Sequence, residues 1–174
     1  MEFLEKDLED IIFDTDNDKL QDRGLNIIGF KKRQLRIGKY GVADLVTFSS
    51  SINRDDYEKS KGEKITPYLH ITVYELKKDK VGVNAFMQAV GYIKGIQRYL
   101  EKRDFKFKVC YSIALIGRTI EFSTGFSYLP DVCNYDRVEF DYSEFLTIYT
   151  YSYNALNGVE FNDKSGYKLI DEGF

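Results

Sequence analysis

Near the start of the chain Phe3, Leu4, Leu8, Ile11 and Ile12 recur at the spacing of one helical face, with Glu5 and Glu9 one turn apart. They predict a helix over residues 2–13. A polar stretch, residues 14–24, breaks that pattern. A strand pair is then predicted, its first member over residues 25–30 or 32–37 and its second over residues 42–49, with Gly38 and Gly41 bracketing the turn. Residues 50–64 include Ser50, Ser51, Lys61, Gly62, Glu63 and Lys64 and read as an extended hairpin tip or a loop. The next strand is expected over residues 68–77. Residues 84–101 carry the clearest helical signal, with Phe86, Val90, Ile93, Ile96, Tyr99 and Leu100 at the helical period. Residues 107–116 are rich in β-formers and predict another strand. From Arg118 onward Tyr, Phe, Thr and Gly dominate, which predicts further strands, with turns at Gly158 and Gly166 and a loop near residues 129–134 around Pro130. The order fits an α/β (α+β) class, a central mixed β-sheet flanked by helices.

With 174 residues, 43% hydrophobic and 30% charged, the chain suits one soluble globular domain with a real core. No apolar run is long enough to span a bilayer, and the acidic, amphipathic start is unlike a signal peptide, so the expected setting is cytoplasmic with no membrane. Cys110 and Cys133 are the only cysteines and suit reduced structural thiols; with one His70 they are too few for a zinc site. A net charge of −3 argues against coating nucleic acid through bulk charge. Local cationic patches remain available: Lys31, Lys32, Arg33, Arg36 and Lys39 form one cluster, Arg98, Lys102 and Arg103 another.

Against that background, charges inside apolar strands stand out, because an ionised side chain is costly to bury. Strand alternation places Asp44 in a row with Val42, Val46 and Phe48, and places Glu75 and Lys77 in a row with Ile71 and Val73. Two carboxylates brought together repel and raise each other's pKa, whereas a divalent cation holds both ionised. Mg²⁺ takes hard oxygen ligands, keeps several waters and often uses only one or two protein carboxylates. Asp44, Glu75 and the backbone carbonyl of Leu76 would supply such ligands. Lys77 would orient or help deprotonate an attacking water, and Gln88 would hold that lysine or the water. The competing reading is an Asp44–Lys77 or Glu75–Lys77 ion pair that only organises the sheet.

Gly41-Val42-Ala43-Asp44-Leu45-Val46, then Tyr74-Glu75-Leu76-Lys77, then Gln88-Ala89-Val90-Gly91-Tyr92, resembles the PD-(D/E)xK nuclease superfamily. The Gln-x-x-x-Tyr step is similar to its RecB-type and NucS-like branches. The resemblance covers roughly residues 2–116 as the core of a single nuclease-like domain, 1–174, and leaves a strand-rich extension at about 117–174. It implies a restriction-endonuclease-like fold and hydrolysis of DNA phosphodiester bonds, endo or exo, dependent on Mg²⁺ or Mn²⁺. Carried over, Asp44 and Glu75 bind metal, Lys77 is the catalytic lysine, Gln88 and Tyr92 form the helix pair behind the site, and Glu9, or in second place Glu5, is the first-helix acid. Lys31, Lys32, Arg33, Arg36 and Lys39 are candidate nucleic-acid contacts. A homodimer would suit cutting of both strands. Ala43 stands where the family has its name-giving proline, Gly-x-x-Asp being a frequent variant, and residues 50–64 lengthen the interval between Asp44 and Glu75. A non-catalytic nucleic-acid or protein interaction module on the same fold is the main alternative, and an RNA-directed nuclease a further one.

Other signals carry less. Asp14-Thr15-Asp16-Asn17-Asp18 resembles the start of a calcium loop but lacks the sixth-position glycine and the twelfth-position glutamate. His70 has no evident Ser or Cys partner set. Gly91 and Gly95 are expected to let the helix pack closely on the sheet. Tyr149, Tyr151 and Tyr153 alternate as in a buried or half-buried strand, and the acids of residues 139–144 read as solvated.

Overall fold

The computed structural model describes residues 3–52, 58–59, 61, 65–105, 107–122, 125–134 and 144–165. Residues 62–64, most of the acidic run at 139–144 and the expected turn at Gly166 lie outside the described residues.

Six strands form one mixed sheet: β1 (Phe30–Arg36), β2 (Val42–Ser51), β3 (Tyr68–Leu76), β5 (Lys108–Gly117), β7 (Leu146–Asn154) and β8 (Gly158–Asp163), in the spatial order β1-β2-β3-β5-β7-β8. The three central strands are parallel, β3 with β5 and β5 with β7; β1–β2, β2–β3 and β7–β8 are antiparallel. A minor pair, β4 (Lys80–Val81) with β6 (Thr119–Ile120), lies beside it. The strands of the aromatic tail are thus members of the main sheet. Tyr149 and Tyr151 are buried, while Tyr153 is exposed.

Helices pack against both faces, each burying an apolar stripe on the sheet. The long helix α3 (Val83–Glu101) packs Ala85, Ala89, Tyr92, Ile93 and Ile96 against Val46, Val73, Ile113 and Ile148. On the opposite face α1 (Glu5–Asp14) and α2 (Asn17–Asp22) bury Leu8, Ile12 and Leu20 against Leu45, Tyr74, Leu76, Tyr149 and Phe161. Glu121 accepts a hydrogen bond from the Val83 amide and so satisfies one orphan donor at the start of α3.

Several expectations are corrected. Of the alternatives for the first strand, residues 30–36 form it and residues 25–29 do not. The polar stretch contains α2, whose Leu20 is fully buried and whose Gln21 donates to the Ile27 carbonyl. Tertiary anchoring, not periodicity, makes this helix. The expected loop around Pro130 is a short helix, α4 (Leu129–Asn134), following a 3₁₀ turn, Phe126–Tyr128. Proline in a first helical turn forfeits no intrahelical bond. A Cβ on Gly95 would meet Ile37 at 2.4 Å and Tyr40 at 2.7 Å, so Gly95 does permit close packing; Gly91 faces open space and does not. Finally, the alternation assumed for β2 breaks at Asp44. Leu45 packs on the α1 face, yet Ala43, two residues earlier, packs on the α3 face with Val46. Val42 is exposed and does not belong to that apolar row.

Candidate active site

The pleat break is where the acidic site forms. In β1 the residue level with Asp44 is Gln34, bracketed by the pairs Arg33↔Leu45 and Leu35↔Ala43, and it adopts φ +49°. That left-handed conformation is uncommon for a residue other than glycine and marks local strain. The β2–β3 ladder ends at Leu45↔Tyr74, and its next step would set Asp44 opposite Glu75. Instead of a ladder bond, Leu76 N–H donates to Asp44 Oδ2 at 3.0 Å. Glu75 is 3% exposed; its Oε1 accepts from Lys77 Nζ at 2.9 Å, and its Oε2 is buried without a hydrogen-bond partner among the described residues. Lys77 N–H donates to the Ile116 carbonyl at 2.8 Å, which fixes the strand end that carries the lysine.

The electrostatics follow from this crowding. Burial, with the Asp44 charge adding to it, pushes the Glu75 carboxyl up to about 7 against the opposing Lys77 ammonium. Asp44 is raised too, chiefly by burial, while the Leu76 amide opposes the shift. For Lys77 burial works downward, but the bond to Glu75 and the charges of Glu75, Glu5 and Asp44 outweigh it and raise its pKa. Lys77 is therefore held as a cation. Tyr92 reaches the same field: its hydroxyl is raised by burial and by Glu75 and Asp44, and its ring packs over Gly41, where a Cβ would lie 3.3 Å from Cε1. Gly41 has φ +109°, so glycine serves both the turn and the contact.

Glu9 is 7% exposed, but both its oxygens are taken, Oε1 by Arg33 Nε at 2.9 Å and Oε2 by Gln34 Nε2 at 2.7 Å. Glu5 is exposed, accepts from Lys78 N–H at 3.2 Å, and its charge acts on Asp44, Glu75 and Lys77. Glu9 also acts on Asp44 through its charge, so both acids of α1 bear on the site, Glu5 on all three residues and Glu9 on Asp44. Gln88 is exposed one turn before Tyr92, with no hydrogen bond to Lys77 among the described residues. In the basic cluster, Lys31 caps α1 through the carbonyls of Ile12 and Thr15, and Arg33 is paired with Glu9 and Asp10. Lys32, Arg36 and Lys39 are exposed. Sequence reasoning missed Gln34, whose role rests on a backbone angle, and Tyr40, whose place depends on the packing of α3.

Two features lie elsewhere. A cavity of about 530 Å³ is lined by Phe13, Asp16, Asn17, Asp18, Gly29, Phe30 and Lys31 and shares no lining residue with the acidic site. His70 does have a partner, Ser51 Oγ at 2.7 Å on the neighbouring strand, but among the described residues no carboxylate is hydrogen-bonded to it.

A divalent cation can be tested against this geometry. Among the described residues no three His, Cys, Asp or Glu side chains come together as a metal-holding group. Two carboxylates whose charges act on each other, one with a buried oxygen that has no hydrogen-bond partner among the described residues, nevertheless fit a hard cation that keeps most of its waters. Comparison with protein-family models, curated proteins and solved structures finds no match to this chain. Among the described residues no helix is long and apolar enough to cross a membrane.

Proposed function

We propose that this chain is a metal-dependent nuclease that hydrolyses DNA phosphodiester bonds on a restriction-endonuclease-like arrangement of its sheet and helices. The observation that carries the reading is Glu75: buried, bonded to Lys77 through one oxygen, unpartnered at the other among the described residues, and raised by that burial with the charge of Asp44 adding to it. A sheet-organising ion pair explains the first oxygen and leaves the second unexplained. Asp44, Glu75 and the Leu76 carbonyl would hold Mg²⁺ or Mn²⁺, which when bound neutralises phosphate charge and lowers the pKa of water at the site. The chain's own residues supply the rest. Leu76 N–H and the break in β2 fix Asp44. Glu75 holds the Lys77 ammonium where it can stabilise charge developing on a phosphate oxygen. Tyr92 closes the apolar side of the site over Gly41, and Gln88, one turn before it, is open to substrate.

A non-catalytic module on the same fold draws support from a specific observation, the lack of a third carboxylate grouped with Asp44 and Glu75 among the described residues. One experiment separates the readings. The purified protein is incubated with single-stranded, double-stranded and branched DNA, and with RNA, in Mg²⁺ or Mn²⁺, beside Lys77→Ala. The nuclease reading expects metal-dependent cutting of DNA that falls by about 100-fold or more in the variant, the scale of losing one preorganised charge stabiliser. No cutting of any substrate, or equal cutting by the variant, would sink it.

A further inference from the structure

We infer that the surface formed by the turn Gly38–Tyr40 and the C-terminal half of α3 grips the sugar–phosphate backbone of a nucleic-acid strand, leading it to the acidic site; this rests on the nuclease reading above.

Lys39 of the first basic cluster meets Arg98 of the second, some sixty residues on, across Tyr40. Because Gly95 has no side chain, α3 settles onto Ile37 and Tyr40. Two cations then lie near the Tyr40 ring, Lys39 Nζ at 5.6 Å and the Arg98 guanidinium at 5.9 Å from its centroid. One turn on, Arg103 lies over Tyr99 at 4.1 Å, and Tyr99 is 55% exposed. Lys102 follows Arg98 at helical i,i+4 spacing and is exposed. Among the described residues none of Lys39, Arg98, Lys102 or Arg103 is in an ion pair, unlike Arg33 and Lys77. The acids at this end are Glu101, whose charge falls on Tyr111, and Asp104, at the close of the helix. Cations without an ion-pair partner among the described residues, set around one exposed aromatic side chain, Tyr99, and one half-buried one, Tyr40, match a ligand that offers spaced anionic phosphates and flat bases. An acidic protein segment would satisfy the cations and leave Tyr99 unused.

Gly91 adds an independent argument. A glycine inside a helix is unfavourable relative to alanine, and here it repays that with no packing, since a Cβ would meet nothing within 4 Å. It lies on the helix face between Gln88 and Arg98, three residues after one and seven before the other. Bare helix backbone at that point admits close approach of a strand passing from the cations toward Tyr92. From Arg98 to Tyr92 the rise along α3 is about 9 Å.

The test is binding without catalysis. Fluorescein-labelled single-stranded and duplex DNA of twenty nucleotides are titrated with protein in a chelator, across a series of salt concentrations. Arg98→Ala, Lys102→Ala and Arg103→Ala are each expected to weaken binding on the order of tenfold and to reduce the slope of log K against log salt by roughly 0.7–0.9. Lys19→Ala, which removes a cation of α2 on the other face of the sheet, is expected to bind like the parent. Because Arg98 also holds Tyr40, the Lys102 and Arg103 variants keep the test valid if Arg98→Ala unfolds. Parental affinity and slope in the Lys102 and Arg103 variants would overturn the inference, even if the protein cuts DNA. Displacement of the DNA by poly-glutamate at equal charge concentration would also overturn it. If the variants lose binding while no substrate is cut under Mg²⁺ or Mn²⁺, the surface assignment stands and the nuclease reading falls.

Discussion

Glu75 and Asp44 set the behaviour of the molecule at the scale of single residues. A carboxyl raised to about 7 in the fold, against 4.5 for the free group, binds a proton more tightly folded than unfolded. Stability from this group is therefore fully present below about pH 4.5 and is lost as pH rises toward and through about 7, and the raised Asp44 adds with the same sign. In the metal-free protein thermal unfolding should move to lower temperature between pH 5 and pH 8. Asp44→Asn keeps an oxygen for the Leu76 amide but removes the like charge, so its decline over that range should be shallower; a slope equal to the parent's would show that the two carboxylates are not coupled. Mn²⁺ should raise the melting temperature more at pH 8 than at pH 6, because below about 7 it competes with a proton on Glu75. Differential scanning calorimetry at the two pH values reads both effects.

At the scale of elements, α3 offers two glycines with opposite expected responses. Gly95→Val would drive a side chain into Ile37 and Tyr40 and should cost about 1–3 kcal/mol in urea unfolding, as overpacking does. Gly91→Ala meets open space in a helix and should stabilise by roughly 0.5–1 kcal/mol. Similar effects from the two would mean that the helix does not sit as described. Lys31→Met should destabilise by about 1 kcal/mol, the scale of a lost helix cap, because the ammonium closes the C-terminal carbonyls of α1. An unchanged midpoint would remove that role. Long elements with strong periodicity, α3 and β3 above all, were legible in the sequence within one or two residues. What was not legible had other grounds: α2 depends on the distant seat of Leu20, α4 continues a local 3₁₀ turn that carries no periodicity, and the break of β2 lies level with a left-handed residue, Gln34, in β1.

At the scale of the whole molecule the described residues form a six-stranded mixed sheet with helices on both faces, and the site lies where β2 and β3 part. Alternation brought Glu75 and Lys77 to one face correctly, and the structure joins them at 2.9 Å. It could not show that Asp44 turns to the Leu76 amide, that Glu9 is occupied by Arg33 and Gln34, or that Glu5 accepts from the Lys78 amide just past the lysine. Nor could it tell a committed cation from a free one: Lys31 and Arg33 serve α1, while the second cluster joins Lys39 across Tyr40. The central claim is that Asp44 and Glu75 share a divalent cation. Anomalous diffraction from a crystal grown with Mn²⁺ tests it most directly. A single strong peak within coordination distance of both carboxylates and the Leu76 carbonyl is the predicted result. No peak there at saturating Mn²⁺, with Glu75 still paired to Lys77, would contradict it.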